Sequence, residues 1–133
     1  MFTTSITPRF GDTDMLGHIN NVALPRWFEA AREPVFRFFV PEPAKATKAT
    51  WPLILVHMDV DFHAEMNYGL DVDIRTTITR MGDTSLTLRH EAWQAGICKA
   101  SGGVVLVCFD FTTGKKQSIP AAIRERLQPH LVS

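Results

Sequence analysis

An α+β fold, with one antiparallel sheet wrapped around one long helix, is predicted from three observations on the 133-residue chain. Apolar residues recur at three- and four-residue spacing between Val22 and Phe39, then alternate with polar ones after Trp51, the change of period that separates helix from strand. Turn signals at residues 66–69, at Gly82-Asp83 and at Ala95-Gly96 cut the alternating half into four hairpin-connected strands. A single helix cannot cover both faces of such a sheet, so the sheet curls around it and leaves its outer face and edges for a second copy of the chain. A homo-oligomer, a dimer or a dimer of dimers, is therefore expected.

The elements follow in order. Residues 5–10 read as a short strand feeding a polar loop, FGDTDMLGHINN, in which two carboxylates, an imidazole and two amides crowd ahead of the apolar segment. Asn20 or Asn21 supplies the N-cap, because an asparagine side-chain oxygen accepts from first-turn N–H groups, and the loop thus ends at a helix N-terminus. Val22, Leu24, Trp27, Phe28, Ala31, Val35, Phe38 and Phe39 form the helix's apolar face. Pro25 fits the first turn, whereas Pro34 is expected to kink or end the regular helix around Glu33. Residues 41–50 read as a mobile loop. Val56, Met58, Val60, Phe62 and Ala64 alternate with His57, Asp59, Asp61, His63 and Glu65, one long strand with an apolar and a polar face. Strands over 72–80 and 97–111 follow, the latter with Gly102-Gly103 as a bulge, and between them Leu86, Leu88, His90 and Ala92 share a face. A short helix over 121–127, with Pro120 at or just before its first turn, closes the chain.

Composition narrows the function classes. The length suits one domain, 1–133. Lys plus Arg equals Asp plus Glu at 14 each, so no net field recruits nucleic acid or an anionic membrane. No apolar run approaches the ~18 residues of a membrane span and the start lacks a signal-peptide pattern, which gives a cytoplasmic expectation. Cys98 and Cys108 lack CxxC spacing and read as reduced buried thiols. No nucleophile elbow, phosphate loop or dinucleotide fingerprint is present, so no cofactor is expected. The run His57-x-Asp59-x-Asp61-x-His63 offers four metal-ligand types on one strand face. Positions two apart lie roughly 7 Å apart, so an adjacent pair can converge but all four cannot without bending. A polar sheet face at a subunit interface accounts for the run, and no metal is expected.

Asp12-Thr-Asp14, Gly17-His18-x-Asn20-Asn21 and Trp27-Phe28-Glu29-Ala-Ala-Arg32, in this order and spacing, resemble the hotdog-fold acyl-CoA thioesterases of the 4-hydroxybenzoyl-CoA thioesterase type. Val60-Asp-Phe62, Gly69, the strand from Gly103 to Asp110 and Ile119-Pro120 extend the resemblance over nearly the whole chain. It implies a hotdog fold and hydrolysis, without a cofactor, of an acyl-CoA or acyl carrier protein thioester at sites formed between two subunits. It also implies that Asp14 is the general base or nucleophile and that the backbone N–H of Asn21 polarises the thioester carbonyl. Unpaired N–H groups at the positive end of a helix favour the oxyanion that forms there. By the same resemblance His18 orients Asp14 or touches the acyl chain, Asn20 organises the loop, and Gly17 lets the substrate approach the backbone. Leu24 and Phe28, with Met15, Leu16 and Trp27, are expected around the acyl pocket, to which a partner's strand near residues 57–63 contributes, His63 included. Glu29 either orients a substrate group or pairs with Arg26 or Arg32. The chain departs from the family at Leu24, where relatives often carry tyrosine, and at Pro25, where an aliphatic is usual. It also has Met81-Gly82-Asp83-Thr84 where the 4-hydroxybenzoyl-CoA enzyme has a CoA-gripping basic cluster. Arg80, Arg89, Lys99, Lys115 and Lys116 remain as candidate nucleotide contacts. A hotdog module that binds an acyl ligand without turnover, and a hydratase or dehydratase on the same fold, are the competing readings.

Overall fold

Alternation in the second half of the chain builds four long strands, and the computed structural model, which describes residues 1–132, arranges them with the N-terminal strand in one antiparallel sheet. The elements are β1 (Phe2–Ile6), α1 (Ala23–Ala31), α2 (Glu33–Phe39), β2 (Leu53–Phe62), β3 (Val72–Met81), β4 (Ser85–Gln94), β5 (Ile97–Asp110), β6 (Lys115–Lys116) and α3 (Ala121–Leu127). The order across the sheet is β1-β3-β4-β5-β2, and the two-residue β6 pairs with β5. This is the expected hotdog arrangement, a curled sheet with the helices in its concavity.

The concave face is made by every second residue of the central strands. Val72, Ile74 and Ile78, then Leu86, Leu88 and Ala92, then Ala100, Val104 and Leu106, are all buried. The helices supply the other half. Leu24, Phe28 and Ala31 pack with Ile74, Ala92 and Ala100, while Val35 packs with Ile78, Leu88 and Val104. Phe28 is fully buried, and its truncation to alanine is expected to cost about 3–5 kcal/mol. Leu127 of α3 closes the second cluster, and the Arg124 guanidinium fastens α3 to the β3–β4 hairpin by donating to the carbonyls of Gly82 at 2.7 Å and Asp83 at 3.1 Å.

Four features differ in detail from the expectations, and the break between the helices agrees with them. The first strand lies earlier, at Phe2–Ile6, because Pro8 has no N–H for a ladder, and residues 10–12 form a 3-10 turn instead. The helical segment divides at Arg32, as the proline foretold, and Pro34 stands in the first turn of α2, where a missing N–H costs nothing. Neither Asn20 nor Asn21 is the N-cap: Val22 is, already in helical conformation, and Asn20 Oδ1 instead accepts the Val22 N–H just ahead of the helix at 3.1 Å. Gly102 and Gly103 keep regular register with Val60 and Asp59. A Cβ at Gly102 would collide with the Asp59 carbonyl, so the pair serves close strand approach rather than a bulge.

The fourth difference concerns β2. It starts at Leu53, ends at Phe62 before Ala64 and Glu65, and carries its bulge between Leu55 and His57. Met58 and Phe62 stand opposite the buried Val104 and Ala100, so they face the concavity. Yet they remain 38% and 52% exposed, because β2 is an edge strand on which Met58 borders a groove and Phe62 a cleft beside α1, while Val60 between them packs on the α1 core.

Candidate active site

The polar loop is held to α1 by Asp12. This carboxylate is almost fully buried, with Oδ2 accepting the Arg9 N–H at 2.8 Å and Oδ1 accepting from Arg26 Nη2 at 3.0 Å. The loop then folds back on itself: Thr13 pairs with Ile19, the Asp14 N–H donates to the His18 carbonyl at 2.8 Å, and the Gly17 N–H donates to the Asp14 carbonyl at 3.2 Å. Gly17 has φ +79°, a conformation that a side chain would strain.

Asp14 stands differently from Asp12. It is exposed, and its Oδ1 accepts the Leu16 N–H at 2.8 Å and the His18 N–H at 3.2 Å. Among the described residues its Oδ2 has no hydrogen bond. A second free group lies at the start of α1. The Ala23 and Leu24 N–H groups donate to the carbonyls of Asn20 and Asn21, and Asn20 Oδ1 takes the Val22 N–H. The Asn21 N–H is left without an acceptor among the described residues.

The two residues that carry these groups border one cleft of about 530 Å³, which Asp14, Leu16, His18, Asn21 and Leu24 line on one side and Phe62, His63, Glu65 and Met66 on the other. His18 Nε2 lies 3.1 Å from Glu65 Oε2, and His63 Nε2 is 2.8 Å from the buried Ser101 Oγ. An N–H donor at the positive end of a helix can receive a carbonyl oxygen. A carboxylate oxygen nearby can take a proton from water or attack the carbonyl carbon.

Of the residues singled out in the sequence, Asp14, Leu16, His18, Asn21, Leu24 and His63 meet in this cleft. His63 lines it from the same chain as Asp14. Gly17 and Asn20 shape the loop. Phe28 and Glu29 lie elsewhere: Phe28 stacks on His90 at 4.9 Å in the core, and Glu29 lines a second groove between α1, α2 and β2, with Arg32, Trp51 and Met58. Trp27 is buried and Met15 fully exposed, neither of them lining the cleft. None of Arg80, Arg89, Lys99, Lys115 and Lys116 borders it. Along β2, His57 bonds Asp59 at 3.2 Å while His63 turns to Ser101. Among the described residues no three His, Cys, Asp or Glu side chains are grouped to hold a metal.

Sequence reasoning did not find Glu65 and Met66, which reach the cleft from the β2–β3 connection, nor the buried pair Arg32 and His90. His90 Nδ1 is 2.8 Å from Thr76 Oγ1. Burial, with the Arg32 charge as a second cause, pushes the imidazole down to about 3, so it is neutral. Burial also lowers Arg32, against the opposing pull of Glu29. On β5, burial pushes the Cys108 thiol up to about 11. A position on the helix-facing side of β4 was the one available signal for His90.

With this geometry in view, comparison with known proteins identifies the family. The profile of the Thioesterase-like superfamily matches residues 8–127. A curated relative, the 1,4-dihydroxy-2-naphthoyl-CoA hydrolase of Synechococcus sp. (strain WH7803), is 27% identical over 132 residues, spanning 93% of this chain and 86% of that protein. A solved structure of a predicted thioesterase from Bacillus stearothermophilus is 44% identical with a TM-score of 0.93, over 99% of this chain and 97% of that one. A thioesterase from Thermus thermophilus, complexed with coenzyme A and Zn, is 28% identical with a TM-score of 0.84, over 96% and 97% of the two chains. The chain, with its hotdog sheet and its polar loop at the start of α1, belongs to the thioesterase-like superfamily and is a thioester hydrolase.

Proposed function

We propose that the chain hydrolyses an acyl-CoA to free acid and CoA in the cleft between the Asp14 loop and the start of α1. The observation that carries this reading is the pairing, in one cleft, of a carboxylate oxygen and a helix-terminal N–H that have no partner among the described residues. The thioester carbonyl oxygen accepts from the Asn21 N–H, which draws charge toward oxygen as the carbon is attacked. Asp14 Oδ2 then acts in one of two ways. As a base it takes a proton from water, whose oxygen adds to the carbonyl carbon; as a nucleophile it forms an anhydride that water cleaves. Either way the C–S bond breaks, and the leaving thiolate takes up a proton.

His18 supplies a backbone N–H to Asp14, and its ring, paired with Glu65, fixes the loop against the opposite wall. Leu16, Leu24, Phe62 and His63 provide the surface for the acyl group. The activity of the Synechococcus relative makes an aromatic acyl group the first substrate to test. We also propose a homo-oligomer assembled through the β2 edge, where Leu55, Val56, Met58 and Phe62 are 38–55% exposed beside unpaired backbone groups. Met58→Asp is expected to shift the protein toward monomer, measured by light scattering, and an unchanged mass would remove this edge as the interface.

The test of activity is thiol release from 1,4-dihydroxy-2-naphthoyl-CoA, benzoyl-CoA and straight-chain acyl-CoAs, with wild type and Asp14→Asn side by side. Release by the wild type alone is expected. Equal release by both proteins would remove Asp14 from the mechanism. Release only from acyl carrier protein thioesters would change the substrate, and none from either would leave a binding module.

A further inference from the structure

Gln94 ends β4 on its helix-facing side, two residues beyond Ala92, and is 2% exposed. An amide in that position is costly unless its polar atoms are all used. Here they are: Oε1 accepts the Asn67 N–H at 2.9 Å, and Nε2 donates to the carbonyls of Asn67 at 2.8 Å and Leu70 at 3.1 Å. All three bonds go to the backbone of the β2–β3 connection, which forms the far wall of the cleft. That connection in turn grips the catalytic loop. The Met66 carbonyl accepts the Ile19 N–H at 2.9 Å, and Asn67 pairs with His18 in an antiparallel bridge. The His18 N–H reaches Asp14 Oδ1 at 3.2 Å.

We infer that Gln94 is a positioning residue for the hydrolysis: by holding Asn67 it holds His18 and Ile19, and through them the placement of Asp14 and Asn21 in the cleft. The inference rests on the proposed reading of Asp14 as the reacting carboxylate. An apolar side chain would fill the same volume. Only a primary amide offers one acceptor and two donors to a backbone segment that presents one N–H and two carbonyls. A reacting group displaced by about 1 Å loses about 100-fold in rate, so the consequence falls on turnover more than on substrate capture.

Two variants test this. Gln94→Met keeps the bulk and removes the three bonds. Gln94→Glu keeps shape and acceptor but sets a carboxylate against two carbonyls, until protonation returns an O–H donor. With the acyl-CoA that the wild type hydrolyses best in the panel above, Gln94→Met that is folded by circular dichroism is expected to lose about 10- to 100-fold in kcat, with KM within about twofold. For Gln94→Glu the ratio of its kcat to that of wild type should rise about tenfold from pH 8 to pH 5. A folded Gln94→Met with kcat within about twofold of wild type, or a flat ratio for Gln94→Glu, overturns the inference. If Gln94→Met does not fold, the pH dependence of Gln94→Glu decides alone.

Asp14→Asn, assayed alongside, separates the two ideas. If it hydrolyses as fast as wild type, or if wild type cleaves no thioester, the reading of Asp14 has failed. Amide hydrogen exchange then judges the clasp by itself. Exchange at His18 and Ile19 should be about tenfold faster in Gln94→Met than in wild type, and unchanged exchange overturns it.

Discussion

The two ends of α1 carry ionisable groups in opposite relation to water. At its start, Asp14 and Asn21 are exposed, and neighbouring backbone groups hold one Asp14 oxygen while leaving the other free. At its end, Arg32 is 3% exposed and His90 beneath α1 is fully buried. Arg32 Nε and Nη1 and His90 Nε2 have no hydrogen-bond partner among the described residues. The contrast separates two uses of charge. On the proposed reading of Asp14, a carboxylate that does chemistry is fixed by backbone donors yet keeps one oxygen free, so changing it alters rate and spares stability. A charge inside the concavity does the reverse.

Three experiments break or sharpen that contrast. The largest effect is expected for Asp14→Asn, a loss of about 1,000-fold in kcat/KM, or about 4 kcal/mol of transition-state stabilisation. Thiol release measures it, and thermal melting should show an unchanged midpoint. The next effect comes from His90, whose imidazole is near 3 in the folded protein against an ordinary 6.5. Between those values the unfolded chain binds a proton that the folded chain refuses. His90 therefore leaves stability intact above pH 6.5 and takes away about 1.4 kcal/mol for each pH unit below it, levelling off near 3. Urea unfolding from pH 7 to pH 4 should show this slope. His90→Gln, which keeps a partner for Thr76, should flatten it. The smallest effect is expected for Arg32→Met, a change within about 2 kcal/mol in the stabilising direction, since unpaired buried donors are replaced by apolar bulk. A large drop would mean that the guanidinium has a partner in solution and would break the contrast.

The Asp14 side of this contrast was legible in the sequence, as was much of the fold, whereas the buried Arg32 and His90 were not. Periodicity located β3, β4 and β5 to within a residue or two, Pro34 located the break between the helices, and Pro120 located the start of α3. Those signals are local: each depends on neighbours within one turn or one hairpin. What escaped depends on distant partners. Alternation in β2 gave its two faces but not that Met58 and Phe62, on the apolar face, stay partly exposed at the sheet edge. Gly102 and Gly103 announced irregular backbone, whereas their role depends on Asp59 across the sheet. At the candidate site, Asp14, His18, Asn21 and Leu24 were legible because they stand in one motif and at the helix start that follows it. Phe28 and Glu29 share that helix but face the core and another groove. The resemblance singled out Asp14 over Asp12, but not that Asp12 is buried against Arg26, 14 residues away.

The free N–H of Asn21 belongs to the backbone, out of reach of ordinary mutagenesis. Any common substitution at position 21 keeps that donor, so an alanine scan would score the position as tolerant. Proline alone removes it. On the proposed reading, the group that receives the substrate's oxygen is hidden from mutational surveys. A backbone ester in place of the Asn21 peptide bond, made by chemical synthesis, would expose what the genetic code conceals.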